Sequence, residues 1–171
     1  ELIYVASPHS HHYQHTKLCL EHNKHVLVEK AFTVNAAQAE ELIRLSQEKG
    51  LLLAEAIWTR YMPSRKMIDD ILASGILGKV TSLTANLGYI LPHVERMQNP
   101  ELAGGALLDL GVYPINFALM AFQGEVEKID ATAIMSPKGV DWMNSITLSF
   151  ADGKMAVLHS DMLAQTDRQG V

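Results

Sequence analysis

Short apolar runs alternate with amphipathic stretches through the first third of the chain. Leu2-Ile3-Tyr4-Val5-Ala6, Val26-Leu27-Val28 and Leu51-Leu52-Leu53-Ala54 are continuous apolar runs with β-branched members. Such runs read as strands buried on both faces, as in a parallel sheet. Residues 11–22 between the first two have helical character, and Asn23 suits a left-handed C-cap. Asn35 lies three residues before Gln38, a capping-box-like start to a second helix. Ala39, Leu42, Ile43 and Ser46 form its predicted inner stripe, and Gly50 ends it. Strand, helix, strand, helix, strand at this spacing predicts a parallel α/β sheet.

The pattern then changes. Pro63 suits the first turn of a helix with the stripe Met67, Ile68, Ile71 and Leu72, ended at Gly75. Residues 80–88 alternate, with Thr81, Leu83, Ala85 and Leu87 on one face and Ser82, Thr84 and Asn86 on the other. Residues 106–122 are apolar enough for a helix, but Pro114 lies inside it and is expected to kink or restart it, pushing Tyr113 off helical angles. Residues 129–135 and 144–150 read as strands. Asp152-Gly153 is a two-residue hairpin signal leading into a strand at 154–159. A second, α+β unit with an open, largely antiparallel sheet follows from these runs.

Composition narrows the function class. The 171 residues carry a net charge of −5, which argues against a nucleic-acid partner. The single cysteine, Cys19, excludes an intrachain disulfide and a multi-cysteine zinc site. No apolar run is judged to approach the roughly 18 residues that cross a bilayer, so no membrane partner is expected. The chain opens at Glu1, directly on a strand-like run. It is expected to be a piece of a longer protein without a signal peptide, and cytoplasmic.

Three stretches carry candidate chemistry. Glu29-Lys30 follows a buried strand, at the carboxyl end where open α/β sheets place ligands. A lysine there can hold a substrate hydroxyl; a solvated loop charge pair is the plainer alternative. Asp109 and Tyr113, four apart, share a helical face among apolar neighbours. They are either a buried functional pair or a local cap and a core tyrosine bonded to backbone. The histidine-rich start holds His9, His11, His12 and His15; of these His11 and His15 fall with Cys19 at i, i+4 and i+8, but no carboxylate completes the set, and no metal is expected there. No G-x-G-x-x-G phosphate cradle occurs.

Taken in order, these stretches resemble the glucose–fructose oxidoreductase / inositol dehydrogenase (Gfo/Idh/MocA) family of NAD(P)-dependent enzymes. Ser7-Pro8 with His12 resembles that family's Thr-Pro-Asn-x-x-His segment near the nicotinamide. Lys24-His25-Val26-Leu27-Val28-Glu29-Lys30-Ala31 resembles its Gly-Lys-His-Val-Leu-x-Glu-Lys-Pro signature, whose lysine is catalytic. Gly104-Gly105-Ala106-Leu107-Leu108-Asp109-Leu110-Gly111-Val112-Tyr113 resembles its Gly-Gly-x-Leu-x-Asp-x-Gly-x-His segment. Residues 55–63 and 107–114 are similar to the dihydrodiol and sugar dehydrogenase branch, where tyrosine takes the last catalytic position.

The resemblance implies the C-terminal part of a Rossmann-type parallel sheet at residues 1–57, then a substrate-binding and dimerisation domain at 58–171. It implies catalytic roles for Lys30, Tyr113 and Asp109, and cofactor contacts from Ser7, Pro8, His12, Glu29, Lys30, Trp58 and Arg60. The cofactor would be NAD or NADP. The substrate would be a sugar, polyol or dihydrodiol. Exposed alternating strands with apolar members need covering, so a homodimer or larger homo-oligomer through the open sheet is expected. Ser82, Thr84 and Asn86 would meet substrate hydroxyls or cover that interface. A catalytically silent sugar- or nucleotide-sensing relative is the alternative. Lys30 beside Tyr113 is expected to lower the phenol's pKa. Ala31 in place of the usual proline is expected to make the loop that aims Lys30 looser or differently shaped.

Overall fold

The computed structural model describes residues 1–168 and 170. Among these residues the strands form two separate sheets. The first is parallel, with β1 (Leu2–Val5), β2 (His25–Val28) and β3 (Leu53–Glu55) in the order β1-β2-β3. Helices α1 (His9–Glu21) and α2 (Ala36–Glu48) connect them. Val5, Leu20, Val26, Val28 and Leu42 make their shared core.

The local signals act as sequence chemistry requires. The Asn35 side chain accepts the Gln38 N–H at 3.0 Å, satisfying an N–H that the first helical turn leaves unpaired. Asn23 and Gly50 follow their helices with φ of 56° and 62°, the left-handed conformation that turns the chain away. Two expectations need correction. β1 is not buried on both faces: Val5 faces the core, whereas Leu2 and Tyr4 on the opposite face are more than half exposed. Helices cover one face of this sheet among the described residues, and alternation puts Leu2 and Tyr4 on the other. In α2, Leu42 and Ser46 are buried, but Ile43 points outward.

A single 3₁₀ turn, Trp58–Tyr61, leads into α3 (Pro63–Ser74), which ends at left-handed Gly75. The α3 stripe is a third correction in the same sense. No residue of this helix is buried, and Met67 and Ile71 are exposed. Periodicity reveals that a helix has an apolar face, not what covers it.

The second sheet joins β4 (Ser82–Gly88), β5 (Val126–Met135), β6 (Asp141–Phe150) and β7 (Met155–Asp161) in the order β4-β7-β6-β5. β5, β6 and β7 form an antiparallel meander, whereas β4 pairs parallel to β7. The sheet is therefore mixed, because a long crossover separates β4 from β5. The β6–β7 connection is one residue longer than expected. Phe150 N–H bonds to Lys154 O at 2.9 Å across Ala151, Asp152 and Gly153, and Gly153 has φ of 81°. This is a turn followed by a left-handed glycine, the three-residue hairpin solution.

Helix α4 (Val112–Ala121) lies on the sheet. Ala118 and the following Phe122 pack against Leu83, Ile146, Leu148, Phe150 and Leu158, with the Phe122 and Phe150 rings edge to face at 5.3 Å. Pro114 neither breaks the helix nor displaces Tyr113, which stays helical. A π-helical turn at Leu107–Gly111 precedes α4 and absorbs the irregularity. Counted through its 3₁₀, π and α turns, Pro100–Ala121 is 22 residues and apolar enough to cross a membrane, which corrects the earlier reading of apolar run lengths. Its α-helical part here packs on the sheet.

Phe122 fills the centre of this second core with almost no exposed surface. Phe122→Ala is expected to destabilise the protein by about 3–5 kcal/mol. Urea unfolding of the two proteins measures the difference.

Candidate active site at the junction of the two sheets

Parallel strands deliver their carboxyl ends to one edge. At that edge lie Ser7-Pro8 after β1, Glu29-Lys30 after β2 and Ala56-Ile57-Trp58 after β3. The π turn brings Asp109 to the same place from the second unit. Lys30 Nζ donates to the Asp109 backbone carbonyl at 2.8 Å and to Asp109 Oδ1 at 2.9 Å. The two side chains are only 16% and 8% exposed, so this is a shielded ion pair. Arg96 Nη1, from a 3₁₀ turn at Glu95–Gln98, donates to the same Oδ1 at 3.0 Å. His9 Nε2 lies 3.7 Å from that oxygen, and the His9 Nδ1–H donates to Ala103 O at 3.0 Å.

Opposing effects set the charge of Asp109. Burial pushes its carboxyl up, but the Lys30 and Arg96 cations outweigh that and hold it below the usual aspartate range. Burial pulls His9 down, against the weaker pull of the Ala103 bond and Asp109, so its ring stays neutral near pH 7. Sequence reasoning missed Arg96 altogether, since nothing in its local pattern marks it. His9 was visible only as one of several histidines.

Tyr113 sits one turn beyond Asp109. Its hydroxyl accepts the Trp58 Nε1–H at 3.1 Å, and Lys30 Nζ lies 5.5 Å from the ring centroid, over its face. The phenol pKa is raised, chiefly by burial, with Glu29 and Asp109 adding to it against the Trp58 bond. The expected lowering by Lys30 is therefore not what this geometry produces. The ammonium points at Asp109, which neutralises its field, and not at the phenolic oxygen.

Other sequence-derived positions divide by location. Lys30, Trp58, Asp109 and Tyr113 line one cavity of about 760 Å³, walled by Leu87, Tyr89, Leu91 and Leu110. Trp58 is largely exposed at its rim. Arg60 turns away: its Nε donates to Asn116 Oδ1 at 2.6 Å, and it lines a second cavity of about 340 Å³ against α3 and α4. His12 is fully buried, its ring nitrogens facing Ala31 O at 2.7 Å and Ser7 O at 2.8 Å. It ties two strand ends together and has no exposed face for a ligand. Ser7 Oγ contacts His15 Nδ1 at 3.0 Å, and Pro8 precedes α1 as its N-cap. Glu29 accepts from the Tyr4 hydroxyl and from Lys30 N–H. The His11 and His15 rings are 5.6 Å apart, and no group of three or more potential metal ligands gathers among the described residues.

Asp109 couples this site to stability. A depressed carboxyl pKa contributes stability above its unfolded value, lost as pH falls through the folded one. Asp109→Asn leaves Lys30 unpaired and is expected to cost roughly 3 kcal/mol at neutral pH. The gap between variant and wild type should shrink as pH drops below about 4, the range of an unfolded aspartate. Melting curves from pH 7 to 3 read both effects.

Comparison with known proteins agrees with this fold. Residues 1–56 match the model of an oxidoreductase family with an NAD-binding Rossmann fold, and residues 66–170 match the GFO/IDH/MocA C-terminal domain. The chain is 42% identical to a D-xylose 1-dehydrogenase (NADP(+)) of Hypocrea jecorina, over 98% of this chain and 47% of the relative. It is 35% identical to a trans-1,2-dihydrobenzene-1,2-diol dehydrogenase of Xenopus tropicalis, over 99% of this chain and 52% of the relative. Among solved structures, a 3-ketoreductase from Actinomadura kijaniata in complex with TDP-benzene and NADP superposes with a TM-score of 0.89 at 29% identity, covering 99% of this chain and 52% of that one. The chain thus spans about half the length of these relatives. Two consecutive domain matches, in the order in which the two sheets occur, establish that the chain belongs to the GFO/IDH/MocA oxidoreductase family.

Proposed function

We propose that the protein containing this chain is an NAD(P)-dependent oxidoreductase that interconverts a hydroxyl and a carbonyl on a sugar, polyol or dihydrodiol. The observation that carries this reading is the Lys30–Asp109–Tyr113 constellation, assembled from two structural units around one cavity at the strand ends. The related D-xylose and dihydrodiol dehydrogenases support the substrate class.

The residues at the edge of the first sheet fit the nicotinamide end of such a cofactor. An exposed indole, a strand-end lysine and apolar walls offer a flat ring a shelf. Lys30 and Trp58 are the residues that would hold it. When bound, the nicotinamide supplies the site that gives or takes the hydride.

The chain's own residues handle the proton. Trp58 occupies a lone pair of the Tyr113 oxygen, leaving the phenol hydrogen free to point elsewhere. Burial keeps that phenol protonated at neutral pH, so it is poised to donate to a carbonyl oxygen. In the oxidative direction the phenolate must form first, which favours alkaline pH. Lys30, held by two bonds to Asp109, can place its one remaining ammonium hydrogen toward a substrate oxygen.

Both roles are testable in the full-length protein. Lys30→Met and Tyr113→Phe are each expected to lower kcat by about 10²-fold or more. Tyr113→Phe should also flatten the rise of oxidative turnover with pH. Its melting temperature should stay near wild type, because the ring volume is kept. If Tyr113 is only a core hydrogen-bonder, stability falls and kcat per folded molecule holds.

We further propose a homo-oligomer formed through the uncovered face of the second sheet. There Ile134, Met155 and Val157 stand exposed among serine and threonine positions. Exposed apolar groups in such a patch call for a partner. Light scattering at micromolar concentration should show at least a dimer, and Val157→Lys should shift it toward monomer.

A further inference from the structure

The loop that carries Lys30 contains no proline, so no residue in it restricts φ covalently. Its backbone is instead held from three sides by side chains. Glu29 Oε2 accepts the Lys30 N–H at 3.2 Å, and His12 Nδ1 meets Ala31 O at 2.7 Å. Glu55 Oε1 accepts the Phe32 N–H at 2.9 Å. Glu55 is the last residue of β3 and pairs in register with Val28, the residue before Glu29-Lys30. The adjacent strand thus reaches across to pin the far end of the loop.

We propose that Glu55 is a positioning residue for Lys30: by fixing the Phe32 N–H it sets the loop backbone that aims the Lys30 ammonium at Asp109. This rests on the reading of Lys30 given above. The environment of Glu55 supports a role beyond stability. Burial pushes its carboxyl up, and the nearby Glu29 charge opposes its ionisation, against weaker help from the Phe32 bond, Arg60 and His12. A carboxylate kept in such a place costs free energy. What it gains there is a directed bond to one backbone N–H. A shift of the order of an ångström at a reacting group can cost about 10²-fold in rate, so small freedom in this loop has large consequences.

The test uses the full-length protein with D-xylose and NADP⁺ as the probe pair. Glu55→Leu removes the acceptor, whereas Glu55→Gln keeps an oxygen that can accept the same N–H. Hydrogen exchange of the peptide spanning residues 30–32 is followed in parallel, with a peptide from β6 as the control for folding. The expected result is faster exchange confined to the Lys30 loop in Glu55→Leu, with kcat lowered by about tenfold or more. Glu55→Gln should restore most of both. In a Lys30→Met background, adding Glu55→Leu should change turnover little, because residues acting through one another are not additive.

Unchanged loop exchange in a folded Glu55→Leu overturns the proposal, with or without measurable turnover. So does an undiminished effect of Glu55→Leu on top of Lys30→Met. Full activity of Lys30→Met instead overturns the reading of Lys30, a separate failure. Should Glu55→Leu not fold, Glu55→Ala takes its place in the same scheme.

Discussion

Two hydrogen bonds from Lys30 to Asp109 join parts of the chain that share no sheet. Removing either partner would leave a shielded charge alone, which is costly, whereas a buried pair taken as a whole is near break-even against an apolar substitute. The value of the contact is therefore positional. It orients the end of β2 with respect to the π turn, and the candidate active site is the space that this orientation leaves open. Arg96 and neutral His9 complete the surroundings of the carboxylate, so that Asp109 remains ionised despite its burial.

The π turn, just before the helix that holds Pro114, lets Asp109 offer its backbone as well as its side chain. Proline has no N–H to return to a helical ladder. In an α register the carbonyl deprived of a donor would be that of Leu110, four residues back. Asp109 itself lies within the π turn, where the register is wider and Val112 N–H bonds to Leu107 O. The Asp109 carbonyl is the one Lys30 bonds. An irregularity that weakens a helix thus supplies an acceptor aimed at an ammonium.

Lys30 and Tyr113 divide charge and proton between them. The ammonium lies over the phenol ring, not beside the hydroxyl, and its field is spent on Asp109. Tyr113 is left as a neutral phenol with its oxygen anchored by Trp58. An arrangement of this kind favours donation of a proton at neutral pH and demands a higher pH for its removal.

The amino-acid sequence determined what depends on residues a few positions apart. Asn35 and Gln38 mark a helix start, and Asn23, Gly50 and Gly75 its ends, because caps and left-handed turns are satisfied within one turn of chain. Continuous apolar runs marked the three strands of the first sheet and alternation those of the second among the described residues, and the strand-end position of Lys30 was legible from the run before it. Matching motifs supplied Asp109, Tyr113 and Trp58. Tertiary structure alone decided the rest. Arg96 meets Asp109 only because the loop after β4 folds over the π turn. The α3 stripe and one face of β1 are exposed because periodicity does not name a covering partner. The direction of the Tyr113 shift was misread from sequence, since burial dominates it and the Lys30 ammonium points at Asp109. The ammonium's aim is set by a contact spanning 79 positions, and no short-range rule reaches so far along the chain.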